Sequence, residues 1–105
     1  MNLDKFENII NDSFNNIEKV NINSDKLIIN TINETIELID QGKIRVAEKK
    51  EGKWIVNQWI KKAILLSFKI NKMEILKGPY TSWYDKVPGK SVNWGEEEWK
   101  KAGYR

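Results

Sequence analysis

The stretch from Gln58 to Ile70 constrains the fold most. It reads Gln-Trp-Ile-Lys-Lys-Ala-Ile-Leu-Leu-Ser-Phe-Lys-Ile, with no proline or glycine and apolar residues on nearly every side of a helical wheel. Such a helix must be covered by other parts of the chain, so it is expected to be the buried centre of the domain. Lys61, Lys62 and Lys69 can extend their charges to solvent.

The cover is supplied upstream. Leu3, Phe6, Ile9 or Ile10, Phe14 and Ile17 recur every three or four residues, which predicts a helix from about Leu3 to Val20. Asn21 to Asn23 interrupts it. Ser24 is a good N-cap, and Asp25 is placed to favour the positive end of a second helix. Leu27, Ile28, Ile32, Ile36 and Ile39 form that helix's stripe, and Gly42 is a natural stop. A short link between the two predicts an antiparallel helical hairpin over residues 3–42.

After Gly42 the period becomes two. Ile44, Val46 and Glu48 face one way, Arg45, Ala47 and Lys49 the other, and Lys50-Glu51-Gly52-Lys53 is a turn before the β-prone Trp54-Ile55-Val56. This predicts a β-hairpin. Met73 to Leu76 suits a short strand, Gly78-Pro79 a loop, and Tyr80 to Val87 an aromatic extended segment closed by Pro88-Gly89. Asn93 with Glu96 three residues later suits the start of a last helix, with Glu96–Lys100 and Glu97–Lys101 pairs and a stop at Gly103. The expected fold is α+β, one domain over residues 1–105, with an α/β part over 43–105: helical hairpin, β-hairpin, central helix, short aromatic strand and terminal helix.

Composition narrows the chemistry. The chain has no Cys and no His. Disulfides, a thiolate nucleophile, Ser-His-Asp catalysis and the commonest metal ligand are therefore excluded. Eighteen basic residues outnumber fifteen acidic ones. Only Arg45 and Arg105 among them are arginine, and the lysines are interleaved with Asp and Glu. Abundant Lys, Asn and Ile share AT-rich codons, so the mild basicity is no argument for a nucleic-acid partner. No signal-peptide h-region and no run near a membrane span is visible, which leads to the expectation of a cytoplasmic protein without a membrane partner.

Three segments together resemble one family. They are Leu38-Ile39-Asp40-Gln41-Gly42-Lys43-Ile44-Arg45-Val46-Ala47-Glu48-Lys49 with Gly52-Lys53-Trp54; the Gln58–Ile70 helix; and Tyr84-Asp85-Lys86-Val87-Pro88 followed by Gly103-Tyr104-Arg105. In order and spacing this is similar to the N-terminal domain of tetrahydrodipicolinate N-succinyltransferases, weakly over residues 1–35 and strongly from Leu38 to Val87. The resemblance implies succinyl transfer from succinyl-CoA to the amino group of opened tetrahydrodipicolinate, in lysine and diaminopimelate biosynthesis. It implies cytoplasmic homotrimers, with an N-terminal α/β domain ahead of a left-handed β-helix of hexapeptide repeats. No six-residue aliphatic period occurs here, so the β-helix and the donor site within it are expected to be absent. The chain is then a natural fragment, a split gene product or a cut domain, with no turnover of its own.

The resemblance assigns one substrate contact, Arg105, to the dicarboxylate acceptor. A guanidinium suits a carboxylate, but a terminal α-carboxylate on the same residue would partly cancel its charge. No catalytic, cofactor-binding or metal-ligating residue is assigned. Tyr84, Asp85 and Lys86 suit either a site wall or, more simply, a partly buried strand with an ion pair. Trp54, Trp59, Trp83, Trp94 and Trp99 are scattered over several elements, which favours core and interface roles over a base-stacking platform. Lys61 and Lys62 fit an exposed face better than a phosphate site. Glu96, Glu97 and Glu98 fit a helix start better than a metal site, and Glu48 with Lys49 makes no acid–base pair. The alternative function is a small stand-alone α+β protein-interaction module without catalysis. An RNA-binding domain ranks behind both.

Overall fold

The computed structural model describes residues 2–103. The described residues form four α-helices, one 3₁₀ turn and two separate two-stranded antiparallel sheets, an α+β arrangement without a β-helix. The chain divides into two compact units between Lys72 and Met73.

In the first unit, α1 (Leu3–Asn15) starts at Asn2, whose Oδ1 accepts from the Lys5 amide at 3.2 Å. The sequence predicts this helix to run on to Val20, but it stops at Asn15. Asn16 takes φ −117°, and its side-chain amide donates to the Asp12 carbonyl at 3.1 Å. An asparagine that satisfies backbone acceptors itself competes with the helix ladder. A single 3₁₀ turn, Ile17–Lys19, carries the chain to Val20.

The second helix, α2 (Lys26–Asp40), is capped at Asp25 rather than Ser24. The Ser24 hydroxyl is spent on the preceding turn, accepting from the Asn21 amide at 2.9 Å. Of the expected stripe, Ile32 is buried and Ile28 and Ile36 pack against the core, as expected, and Leu27 departs from it. Leu27 is 58% exposed, while Thr31 and Thr35 are buried beside Ile32 and Leu38. Both hydroxyls donate 2.7 Å bonds to the carbonyls four residues back. Threonine can therefore face the core with no unmet polar atom.

The exit of α2 is sharply set. Gly42 adopts φ 74°, its amide donates to Ile39 and the Lys43 amide donates to Leu38, both at 3.0 Å. This is a Schellman ending, in which a left-handed residue turns the chain off the helix axis. It leads into β1 (Ala47–Lys50), paired with β2 (Lys53–Val56) so that Ala47 faces Val56 and Lys50 faces Lys53. The strand begins at Ala47 rather than Ile44, yet Ile44, Val46 and Glu48 are half-buried while Arg45, Ala47 and Lys49 are exposed. The two-residue link, Glu51 at φ 50° and Gly52 at φ 78°, has the double positive φ of a type I′ turn.

Helix α3 (Gln58–Ile70) occupies the predicted span and packs on both α1 and α2. Ile60, Ala63, Leu66 and Ile70 are buried, and Ile10, Val20, Ile32, Ala63, Leu66 and Ile70 form one cluster. The helix is not buried all round, however: Leu65 and Phe68 remain 41% exposed. A three-helix layer has only one inner face, and the β-hairpin does not extend over the outer one.

The second unit is a hairpin and a helix. The expected Met73 strand is β3 (Glu74–Lys77), and it pairs with β4 (Ser82–Asp85) inside the aromatic segment, Leu76 facing Trp83. The last helix, α4 (Glu96–Ala102), is capped at Gly95 and not at Asn93. The Glu98 carboxylate accepts from the Gly95 amide at 2.9 Å. Lys100 pairs with Glu96 at 3.1 Å and Gly103 ends the helix at φ 76°, both as expected.

Candidate functional site

The sequence reaches its candidate site through the Schellman turn after α2, which delivers Lys43, Ile44 and Arg45 to the foot of the first hairpin. There the hairpin faces the N-terminal turns of α1 and α3 across a groove of about 340 Å³. Lys43, Ile44, Arg45, Glu48 and Lys50 come from the hairpin side, Leu3, Asp4 and Glu7 from α1, and Asn57, Trp59 and Ile60 from the start of α3.

Asn57 holds this foot together. Its backbone amide donates to the Val46 carbonyl at 2.7 Å. Its side-chain amide donates to the Arg45 carbonyl at 2.7 Å and to Glu48 Oε1 at 3.2 Å. Lys50 Nζ lies 3.2 Å from the same carboxylate oxygen. The Asn57 hydrogen bond, followed by Lys50, lowers the Glu48 pKa below its ordinary value of 4.5. Glu48 is thus an ionised acceptor for Asn57 and Lys50. Asn57 is the residue that sequence reasoning missed. Its only local signal is an asparagine ahead of a helix, which suggests a cap and not a bond to residues nine and twelve positions earlier.

A second groove, about 420 Å³, lies between α1 and the start of α2, lined by Ile9, Ser13, Val20, Leu27 and Ile28 with a polar rim. No cluster of three or more metal-ligating side chains occurs among the described residues. None of their helices is long and apolar enough to cross a membrane.

The residues singled out from sequence are distributed as follows. Tyr84 is 68% exposed on β4, so the expected partial burial fails: a two-stranded sheet leaves this face uncovered. Asp85 Oδ1 accepts from the Lys86 amide at 2.7 Å and the Val87 amide at 3.4 Å, a turn-forming use of the carboxylate. Trp94 and Trp99 meet edge to face with centroids 5.5 Å apart. Trp54 and Trp83 are 73% and 55% exposed, outside any core. Lys61 is exposed as expected, but Lys62 is not a free surface lysine. Its Nζ lies 5.4 Å from the Phe14 ring centroid and 3.3 Å from Asn11 Oδ1, joining α3 to α1. Glu96 to Glu98 open α4. Arg105 lies outside the described residues.

Comparison with known proteins decides the family. The model of the tetrahydrodipicolinate N-succinyltransferase N-terminal family matches residues 5–70. The chain belongs to this family. A 2,3,4,5-tetrahydropyridine-2,6-dicarboxylate N-succinyltransferase of Pelagibacter ubique is 53% identical over 104 residues, covering 96% of the chain and 38% of that relative. Proteins of the same name from Agrobacterium fabrum and Parvibaculum lavamentivorans are 46% and 42% identical, over 98% and 100% of the chain and 37% and 38% of their own length. The chain thus spans well under half the length of these relatives and aligns with them almost throughout. In this succinyltransferase N-terminal domain the matched segment ends at Ile70, the last residue of α3. The family pattern therefore covers most of the three packed helices and most of the hairpin groove, leaving out Leu3 and Asp4, while similarity to individual relatives also takes in the second unit.

Proposed function

We propose that the chain is the N-terminal, acceptor-positioning and assembly part of an enzyme that transfers a succinyl group from succinyl-CoA to the amino group of opened tetrahydrodipicolinate. That step lies on the route to diaminopimelate and lysine, and the working enzyme is a cytoplasmic homotrimer. The observation that carries this reading is the family match over residues 5–70 together with 53% identity to a named N-succinyltransferase across nearly the whole chain. The side chains here suit recognition and packing: cations and carboxylates line a groove, and exposed aromatic residues stand on two short hairpins. Arg105 is the proposed contact to the acceptor's carboxylate, and the donor is proposed to bind in the part of the relatives that this chain does not span.

The purified 105-residue chain, given succinyl-CoA and an acceptor such as 2-aminopimelate, is expected to release no thiol above background. Turnover by the chain alone overturns the proposed division of labour.

Exposed Trp54, Trp83 and Tyr84 also favour a second reading, a stand-alone protein-interaction module. Size-exclusion chromatography separates the two: a well-behaved monomer supports the module, and self-association supports a domain that packs within a larger enzyme.

A further inference from the structure

The groove at the hairpin foot has its charges sorted by wall. Lys43 and Arg45 stand two residues apart on the segment leading into β1, and both are exposed. Asp4 and Glu7 stand on α1 three residues apart, a spacing that puts them on one helix face. Glu48 lies on the basic wall too, paired with Lys50 at 3.2 Å and also attracted by Arg45, so one carboxylate stands against the three cations of that wall. Among the described residues no ion pair joins Lys43 or Arg45 to Asp4 or Glu7 across the gap. Leu3, Ile44, Trp59 and Ile60 supply apolar lining between the walls.

A ligand with a single charge would gain at one wall and lose at the other. One carrying a carboxylate and an ammonium, with an apolar group beside them, satisfies both walls and the lining at once. Salt between separated surface charges is screened, but a bound zwitterion places its charges at contact distance. We propose that this groove binds an α-amino acid with an apolar side chain, its carboxylate on Arg45 and Lys43 and its ammonium on Asp4 and Glu7. The volume of about 340 Å³ sits at the low end of small-ligand sites and suits a molecule of this size. The proposal stands or falls independently of the succinyl-transfer reading.

The test is an amide-resolved NMR titration of the 105-residue chain with L-leucine and L-phenylalanine. Two controls each lack one charge of leucine: 4-methylpentanoate and isopentylamine. The expected result is saturable shifts at Arg45, the Asn57 side-chain amide and the Trp59 indole, with each control at least about tenfold weaker, the ratio that one lost charge-assisted contact gives. Arg45→Gln is expected to weaken amino-acid binding by a similar factor while leaving the amide dispersion intact. Because Arg45→Gln acts beside the hairpin fold, Asp4→Asn serves as the second variant and is expected to reduce the preference for leucine over 4-methylpentanoate, with Glu7 left as the remaining carboxylate. The proposal is overturned if neither amino acid shifts these signals up to about ten millimolar. It is equally overturned if either control matches leucine, or if both variants bind leucine as the parent chain does.

Discussion

The side-chain amide of Asn57 reaches the carbonyl oxygen of Arg45 at 2.7 Å, tying the first residue before α3 to the chain entering β1. The same nitrogen also reaches Glu48 at 3.2 Å, so both of its hydrogens are used within the hairpin. The residue sits at the N-cap of α3 but makes no side-chain capping bond. By capping preference alone, aspartate at position 57 should be harmless. Asparagine is instead required as a donor. Asn57→Ala is expected to lower unfolding stability by about 1 kcal/mol, the usual worth of a partly exposed hydrogen bond. Asn57→Asp should cost more than alanine, because it sets a second carboxylate against Glu48. Chemical denaturation of the three proteins checks the order.

The same contact has a pH signature. Glu48 titrates below its ordinary 4.5, first because of Asn57 and then because of Lys50. A carboxyl group with a depressed folded pKa binds protons more weakly when folded. Its contribution is complete above the unfolded value and is lost as pH falls through the folded one. In Asn57→Ala the Glu48 pKa should move up toward 4.5, and part of the parent's stability loss on acidification should disappear. A side-chain carbonyl NMR titration of Glu48 reads this directly, and an unmoved pKa counts against Asn57 as the main cause.

Thr35 is fully buried, and its hydroxyl donates to the Thr31 carbonyl at 2.7 Å. That carbonyl lies in the helix ladder and also accepts a backbone amide. Removing the hydroxyl therefore orphans nothing, and Thr35→Val keeps the branched shape. The expected effect is neutral to stabilising, within about 1 kcal/mol. Leu66, equally buried in the same core, gives the contrast: Leu66→Ala should cost about 2–5 kcal/mol through lost burial and a cavity. Thermal unfolding of both variants tests whether packing or the hydroxyl matters at this layer.

Those buried threonines mark the limit of what the sequence discloses. The ends of α3 are legible because Gln58–Ile70 is an unbroken apolar helical run between two asparagines, Asn57 and Asn71. Gly42 and Gly103 are legible because left-handed stops call for glycine. The full width of α2's buried face is not, since the Ile28, Ile32 and Ile36 stripe is legible but nothing on hydrophobicity adds Thr31 and Thr35 beside it. Only the packed partner reveals that the threonines satisfy themselves. The pairing of β3 with β4 escapes for a different reason: alternation marks a strand but does not name its neighbour. The groove at the hairpin foot is assembled from residues 3–7, 43–50 and 57–60, and no local pattern announces such a meeting. The expected contact at Arg105 came only by resemblance and lies outside the described residues.

Glu51 presents a residue type at odds with its backbone. It occupies the first central position of the turn between β1 and β2 at φ 50°, where asparagine or glycine is favoured over longer side chains. Glu51→Asn is expected to stabilise the first unit by about 0.5–1 kcal/mol. It also removes one of the acids beside the facing Lys50 and Lys53, so a small opposing effect should appear at low salt. The denaturation midpoint measured at two ionic strengths separates backbone relief from charge.

The second hairpin carries a like-charge conflict of its own. Glu74 and Asp85 stand directly opposite each other in the β3–β4 register, on the same face of a two-stranded sheet. Like charges directly opposite each other in an antiparallel pair weaken it, and salt screens the effect. Asp85 also accepts from the Lys86 and Val87 amides, so replacing it would loosen the turn that follows. Glu74 has no such second duty, which makes it the position to change. Glu74→Thr removes the repulsion and supplies a β-branched residue suited to a strand, for an expected gain of about 0.5 kcal/mol. Native-state hydrogen exchange of the Ile75 to Lys77 amides should slow by a corresponding factor of about two. Adding salt should narrow the difference between variant and parent, since it screens the repulsion only in the parent. Equal exchange in the two proteins at low salt would show that the facing carboxylates do not weaken this hairpin.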